Sequence, residues 1–155
     1  MKLVDFLRAR LDEDEAAAKA ATPGPWWYNP GKQWLDPEAF EKYDLAKGEE
    51  FVGYGGPHPF TGAVCATGPA SHSQSMADAA HIARSANPAR VLAEVEAKRR
   101  ILDDVLPTMQ ADEISIAGEW GVGSDPVREA SDDLLSLLAL PYRDHPDFDP
   151  AWLEN

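Results

Sequence analysis

Residues Ser75–Leu106 read SMADAAHIARSANPARVLAEVEAKRRILDDVL and contain two helix-start signals about a dozen positions apart. Ser75 has an acidic residue three positions later, which is a variant of the capping box that closes the first turn of a helix. Asn87 is a favourable N-cap, and Pro88 follows it at the position where a missing amide hydrogen costs nothing. This stretch therefore predicts two consecutive helices over 76–106.

Helices are also predicted at both ends of the chain. The segment 3–20 carries apolar residues at four-residue spacing, which is typical of a helix with one buried face: Leu3, Leu7 and Leu11. A last helix is expected over 125–140. The acidic tail 141–155 is too polar to form a core of its own, and we expect its aromatic residues to fix it to the rest of the domain. Pro107 and Pro141 are expected to end the helices that precede them.

The segment 24–70 is rich in proline, glycine and aromatic residues, which favours short strands and loops over helices. Three of its stretches suit strands: Trp26–Tyr28, Phe51–Tyr54 and Gly62–Thr67. Residues 108–123 are expected to form a loop or a short hairpin. With 155 residues the chain is long enough for one core. We expect a single domain over 1–155 of the α+β class, with three to four helices packed on a small antiparallel sheet.

The charge of the chain is concentrated in its last third. The formal net charge is −13, and residues 103–155 contain 13 acidic and two basic side chains, a net of −11. Such a surface repels nucleic acid and anionic lipid and favours basic partners. Direct nucleic-acid binding is therefore not expected. The acidic third is either a solvated face that keeps the protein soluble or a docking surface that imitates DNA phosphates.

The cysteine content and hydropathy pattern indicate a cytoplasmic protein. The single Cys65 excludes an internal disulfide framework and a multi-cysteine zinc site. No apolar run approaches the roughly 18 residues of a membrane span, and the N-terminal segment turns acidic where a signal peptide needs an apolar region. We therefore expect neither a membrane partner nor secretion.

Four parts of the chain carry a family resemblance: FLRARLDEDE at 6–15, ATPGPW at 21–26, DAAHIAR at 78–84 with PARVL at 88–92, and LALPY at 138–142. In order and spacing they resemble a family of uncharacterised small proteins from actinobacteria, especially streptomycetes, and their phages. A looser likeness exists to phage accessory proteins with a similar Thr-Pro-Gly-Pro-Trp turn. The resemblance covers most of the chain and implies membership of a domain family of unknown function.

One departure from that family bears on metal binding. Many of its members resemble this chain around His81 but have a second histidine four residues later, where this chain has Ser85. Two histidines at that spacing on a helix can bind a metal together, whereas one cannot do so alone. His58, His72 and His145 show no fixed metal spacing. No metal site and no cofactor are therefore predicted.

His81 is the first candidate site residue. It lies one helical turn from Asp78, so the carboxylate could orient the imidazole as a general base. The alternative is a structural histidine that packs against the aromatic segment with one hydrogen bond.

The tryptophans form the second candidate site. Trp26, Trp27 and Trp34, together with Arg84 or Arg90, are predicted to make a binding surface, because indoles and guanidinium groups stack on ligands and dominate protein contacts. The alternative is that Trp26 is a core residue and the other two are half-buried.

No catalytic motif converges in this sequence, so we assign no catalytic residue and expect an accessory protein that acts by binding. The partner is a protein or a small molecule, which contacts the tryptophan-rich surface. One alternative is a nucleotide-like small-molecule binder or hydrolase that uses His81 and Asp78. A further alternative is a DNA mimic that uses the acidic last third.

Overall fold

The computed structural model describes residues 1–28, 49–55, 61–69, 72–111, 114 and 125–153. Within them lie four α-helices: α1 (Leu3–Ala20), α2 (Ser73–Ser85), α3 (Pro88–Arg100) and α4 (Asp125–Ala139). Three strands form one antiparallel sheet in the order β1 (Trp26–Tyr28), β2 (Glu49–Tyr54) and β3 (Gly62–Pro69). The fold is therefore α+β, as predicted, and the predicted bounds of α1 are confirmed.

Contacts divide the chain into two compact units. We call Glu15–Ala93 the sheet unit, and Met1–Asp14 with Glu94–Asn155 the helical unit. Helices α1 and α3 each contribute to both. The sheet unit contains β1, β2, β3 and α2, and the helical unit contains α4 and the C-terminal tail.

In the sheet unit, α2 packs on one face of the sheet. Its buried residues are small and recur every four positions, so the helix can lie close to the strands: Ser75, Ala79 and Ala83. Ala79 and Ala83 form a core with Val52 of β2, which is fully buried. Partly buried side chains complete this core: Trp26, Tyr28, Val64, Cys65 and Ile82. Cys65 therefore packs as a small apolar residue.

In the helical unit, the buried face of α1 forms part of a core with the following helices. Phe6, Leu7 and Leu11 are each at most 1% exposed. Other buried residues come from α3, from the turn after it and from α4: Val95, Leu102, Leu106, Leu135 and Ala139. The four-residue apolar spacing of the N-terminal segment thus marks a genuine core face, although Leu3 itself is only half-buried.

The C-terminal tail is attached to α1 by aromatic contacts around Phe6. Rings of the tail approach the Phe6 ring with centroid distances between 4.9 and 6.3 Å: Tyr142, His145, Phe148 and Trp152. Three of these contacts are edge-to-face, the geometry that aromatic quadrupoles favour. The expectation that aromatic residues fix the tail is confirmed.

The start of α2 differs from the prediction. The helix begins at Ser73, and its N-cap His72 makes no side-chain cap hydrogen bond. Ser75 lies inside the first turn and is buried against Gly68, whose backbone has a φ of 126°. The predicted Ser75 cap is therefore wrong, because contact with the sheet places this residue within the helix. Asn87, by contrast, caps α3 as predicted, since its side-chain oxygen accepts a hydrogen bond from the Ala89 amide at 3.1 Å.

The prediction that Pro107 ends its helix is also wrong. A π-helical turn, Ile101–Val105, follows α3, and helical backbone continues through 106–111. In this wider turn the Leu106 amide donates to the Ile101 carbonyl, five residues back. In a regular α-helix the ring of Pro107 would collide with a carbonyl of the preceding turn, and the wider turn makes room for it. The Thr108 hydroxyl donates to the Asp104 carbonyl at 2.7 Å and satisfies an acceptor in that turn.

Candidate functional site

His81 and Asp78 lie on α2 but are held by different neighbours. The Asp78 carboxylate accepts a hydrogen bond from Gln74 Nε2 at 2.7 Å. His81 is exposed, and its Nδ1 lies 3.3 Å from the Ser85 hydroxyl. Both contacts join residues one turn apart along the same helix. The carboxylate that was expected to orient His81 is therefore engaged by Gln74 instead.

Arg84 and Arg90 are both exposed at the junction between α2 and α3. The Arg90 guanidinium donates to the Arg84 carbonyl oxygen at 3.4 Å, close to the Asn87 cap. The two arginines are thus neighbours, and this hydrogen bond links the end of one helix to the start of the next.

Trp26 is a structural residue of the sheet unit. Its ring packs against the core around Val52, and its Nε1 donates to the Thr22 carbonyl at 2.8 Å. A half-buried indole with its single donor satisfied is typical of a core residue. Of the two interpretations that the sequence left open for Trp26, the geometry favours the core residue.

Trp27 lies on the opposite face of the sheet. In the antiparallel register Trp27 pairs with Gly53, whereas Tyr28 pairs with Val52 on the face that α2 covers. Neighbouring residues of a strand point to opposite faces, so Trp27 points away from α2. Its indole lies over Gly53, where any Cβ would collide with it, which explains why glycine is needed there. The Trp27 and Phe51 rings meet edge-to-face with centroids 5.9 Å apart.

Two small residues of β3 extend this face. Ala66 pairs with Phe51 and Ala63 pairs with Gly53, and both alanines are exposed. We call the surface formed by Trp27, Phe51, Ala63 and Ala66 the aromatic face. The sequence indicated the strand that contains Phe51 but did not indicate that Phe51 would join Trp27. Only the register of β1 against β2 brings these rings together.

The predicted site residues are therefore distributed over two sides of the sheet unit. Trp27 lies on the aromatic face, whereas Asp78, His81 and Arg84 belong to the helix that covers the other face. Trp34 and His58 lie outside the described residues. Within the part of the chain that the structure describes, no group of three or more His, Cys, Asp or Glu side chains is arranged to hold a metal ion.

A buried acidic residue was not predicted from the sequence. Glu50 of β2 is only 3% exposed and lies on the same face as Tyr28 and Val52. Burial, followed by the negative charge of Glu50, raises the pKa of the Tyr28 hydroxyl. The Thr67 hydroxyl lies 2.7 Å from the Ser75 carbonyl and 3.3 Å from the Glu50 carbonyl, and so joins β2, β3 and α2. These contacts hold the sheet unit together.

The helical unit contains one more cluster of charged groups, around the buried Arg10. Its guanidinium donates to Glu13 at 2.7 Å, lies 2.6 Å from the His145 ring nitrogens and lies 3.8 Å from Asp147. The guanidinium carbon is also 5.1 Å from the centre of the Phe6 ring, a cation–π distance. Because every partner is a neighbour in α1 or a tail residue, this cluster fixes the tail to α1.

Comparison with known proteins identifies the family to which the chain belongs. The sequence model of DUF6221, a family of unknown function, matches residues 1–154, and the chain belongs to that family. A comparison with curated proteins and one with solved structures found no match. No helix among the described residues is both long and apolar enough to cross a membrane.

Proposed function

We propose that this protein is an accessory protein that acts by binding a partner protein through the aromatic face. The observation that carries the proposal is the pairing of Trp27 with Phe51 on the sheet face opposite α2, next to exposed alanines. The rings are half-buried, so their orientation is set by packing while part of their surface is available for contact. We further propose that the protein works in the cytoplasm of an actinobacterium, encoded by the bacterium or by its phage, on the basis of the single cysteine and the family resemblance.

Aromatic side chains are well suited to this role. Trp and Phe bring a large contact area and lose little conformational entropy on binding, because they have only two side-chain torsions. One such residue at the centre of an interface contributes about 2 kcal/mol or more. The neighbouring alanines keep the surface flat, so a partner can approach the rings closely. The groups with acid–base chemistry, Asp78 and His81, lie on the other side of the sheet, which favours recognition over a reaction at this face.

A site-specific crosslinking experiment tests the location of the surface. A photoreactive amino acid is placed at Ala63, on the aromatic face, or at Ala77 of α2, which is also exposed, as the matched control. In extracts of the cells that make the protein, we expect one discrete crosslinked partner from position 63 and none from position 77. Equal crosslinking at both positions, or crosslinks that stay within the chain, would contradict the proposal.

Two substitutions then test the contribution of the indole. Trp27→Ala should weaken the affinity for the crosslinked partner by about 30-fold, the equivalent of about 2 kcal/mol. Trp26→Phe is the control, because it changes a core residue on the other face and should leave the affinity within about twofold.

The nucleotide-binding alternative has its own test. It would be supported if a nucleotide or a divalent cation raised the melting temperature by several degrees and His81→Ala abolished this rise.

A further inference from the structure

The helical unit contains an open apolar groove that is separate from the aromatic face. It lies between the C-terminal half of α4 and the short 3₁₀ turn Pro150–Leu153, and its volume is about 390 Å³. The groove is lined by Asp133, Ser136, Leu137, Leu140, Trp152 and Leu153.

Three leucines of this groove are exposed next to one another. Leu137 is 61% exposed, Leu153 43% and Leu140 40%. Of the apolar residues near the end of α4, Leu135 and Ala139 are buried, whereas Leu137 is not. Adjacent apolar side chains that remain in contact with water mark a binding surface more often than isolated ones do.

The walls of the groove are fixed by hydrogen bonds and ring contacts. The Ser136 hydroxyl, itself 9% exposed, lies 2.6 Å from the Trp152 carbonyl and 3.0 Å from the Asp132 carbonyl, so it connects the 3₁₀ turn to α4. The Trp152 ring packs on Phe6 at 4.9 Å and on Phe148 at 5.4 Å. A partner therefore meets a preformed groove and does not have to order the tail, which favours binding.

The charge around the groove decides what can occupy it. Asp133 lines it, Asp132 is exposed on α4, and Asp149 is exposed directly before the 3₁₀ turn. Residues 103–155 carry a net charge of −11, with Arg128 and Arg143 as their only basic side chains. A second copy of the chain would bring the same acidic surface to the contact and be repelled, whereas a basic segment would be attracted.

We infer that this groove binds a short, basic amphipathic segment of a partner protein. An apolar side chain of that segment enters between Leu137, Leu140 and Leu153, and neighbouring lysine or arginine residues face Asp133 and the acidic side chains next to it. This is the helix-in-groove mode of recognition, with apolar residues supplying affinity and the charges supplying selectivity. It is independent of the aromatic face, because it uses a different surface and a different chemistry.

The probe for the test is a short fluorescent helical peptide of leucine and lysine, measured by fluorescence anisotropy with the full-length protein. Leu137→Gln should weaken binding at least tenfold, because it removes the most exposed apolar contact without opening the core. Asp133→Asn should weaken binding several-fold. The matched control is Val105→Gln, which changes another exposed apolar residue of the helical unit, 45% exposed, and should leave binding unchanged.

The same measurement separates the other possible occupants. The proposal is supported if a peptide with glutamate in place of lysine fails to bind. It is overturned if Leu137→Gln binds the lysine peptide as tightly as wild type, since the acidic surface would then act by charge alone, as a mimic of DNA. It is also overturned if sedimentation shows a dimer that Leu137→Gln converts to a monomer, because the groove would then be filled by a second copy.

Discussion

At the scale of single residues, Tyr142 shows how the tail is held. Its hydroxyl donates to the Asp14 carboxylate at 2.6 Å, its ring contacts Phe6 edge-to-face, and Lys98 Nζ lies 5.6 Å from the ring centre. Burial, followed by the hydrogen bond to Asp14 and its charge, raises the pKa of Tyr142 well above its usual value of 10.0. One side chain therefore combines an apolar and a polar attachment of the tail to α1.

The first prediction at this scale concerns alkaline pH. Below about pH 10 both the folded and the unfolded chain keep the Tyr142 proton, and there Tyr142→Phe should lower the free energy of unfolding by about 1 kcal/mol, the usual contribution of a hydrogen bond. Above pH 10 the unfolded chain loses this proton first, so the wild type is destabilised as the pH rises. The difference between wild type and Tyr142→Phe should shrink by about 1 kcal/mol between pH 10 and pH 11.

Urea unfolding of both proteins at several pH values measures this difference. Tyr54→Phe, in the sheet unit, shows how much of any change comes from the loss of a tyrosine elsewhere. A difference that stays constant from pH 8 to pH 11 would contradict the role of the Asp14 hydrogen bond.

The two adjacent tryptophans show what the sequence could and could not predict about the candidate site. It predicted that 26–28 form a strand, and the structure has that strand. It did not predict which indole faces which way, because that depends on pairing with Gly53 and Val52, which lie about 25 residues further along. The same pairing places Trp27 on the sheet face opposite Arg84 and in contact with Phe51.

At the scale of elements, the two helix starts predicted at Ser75 and Asn87 had opposite outcomes: the start at Asn87 is confirmed, and the start at Ser75 is wrong. Serine and asparagine are both favourable N-cap residues, but only Asn87 occupies an N-cap position, where Pro88 also fixes the first turn of α3. At Ser75 the contact between α2 and the sheet extended the helix by three residues, from the predicted first residue Met76 to Ser73. The number, order and class of the helices could be predicted from local pattern, whereas helix ends that touch another element could not.

These two positions give a paired prediction about capping. Asn87→Ala should lower the free energy of unfolding by about 1 kcal/mol, because the Ala89 amide loses its acceptor, and Asn87→Asp should retain most of the stability. Ser75→Ala should change it by less than about 0.5 kcal/mol, since the serine is within the helix and does not cap it. Urea unfolding measures all three variants. If Ser75→Ala cost as much as Asn87→Ala, the observed start of α2 would be wrong.

At the scale of the whole molecule, the concentration of negative charge is the dominant feature. The helical unit contains exposed ion pairs, Arg8 with Asp103 at 2.6 Å and Arg99 with Asp12 at 2.5 Å. Exposed pairs of this kind contribute at most about 1 kcal/mol each. They connect α1 to α3 and the turn after it, whereas α4 and the tail carry several exposed carboxylates and few basic side chains. Among those carboxylates repulsion therefore outweighs attraction.

Added salt should consequently stabilise the protein. Raising the ionic strength from about 0.01 M to about 1 M shortens the screening length from ~30 Å to ~3 Å, so repulsion among the carboxylates falls more than the few attractive pairs weaken. We expect the free energy of unfolding at neutral pH to rise by on the order of 1 kcal/mol, since several like-charge pairs each cost some tenths of that amount. Urea unfolding in sodium chloride measures the rise.

A variant that combines Asp132→Asn with Asp133→Asn should be more stable than wild type at low salt, and added salt should raise its free energy of unfolding less. If salt lowered the free energy of unfolding of the wild type, the attractive ion pairs of α1 would outweigh the repulsion. The acidic last third would then carry no net repulsion for a basic partner to neutralise.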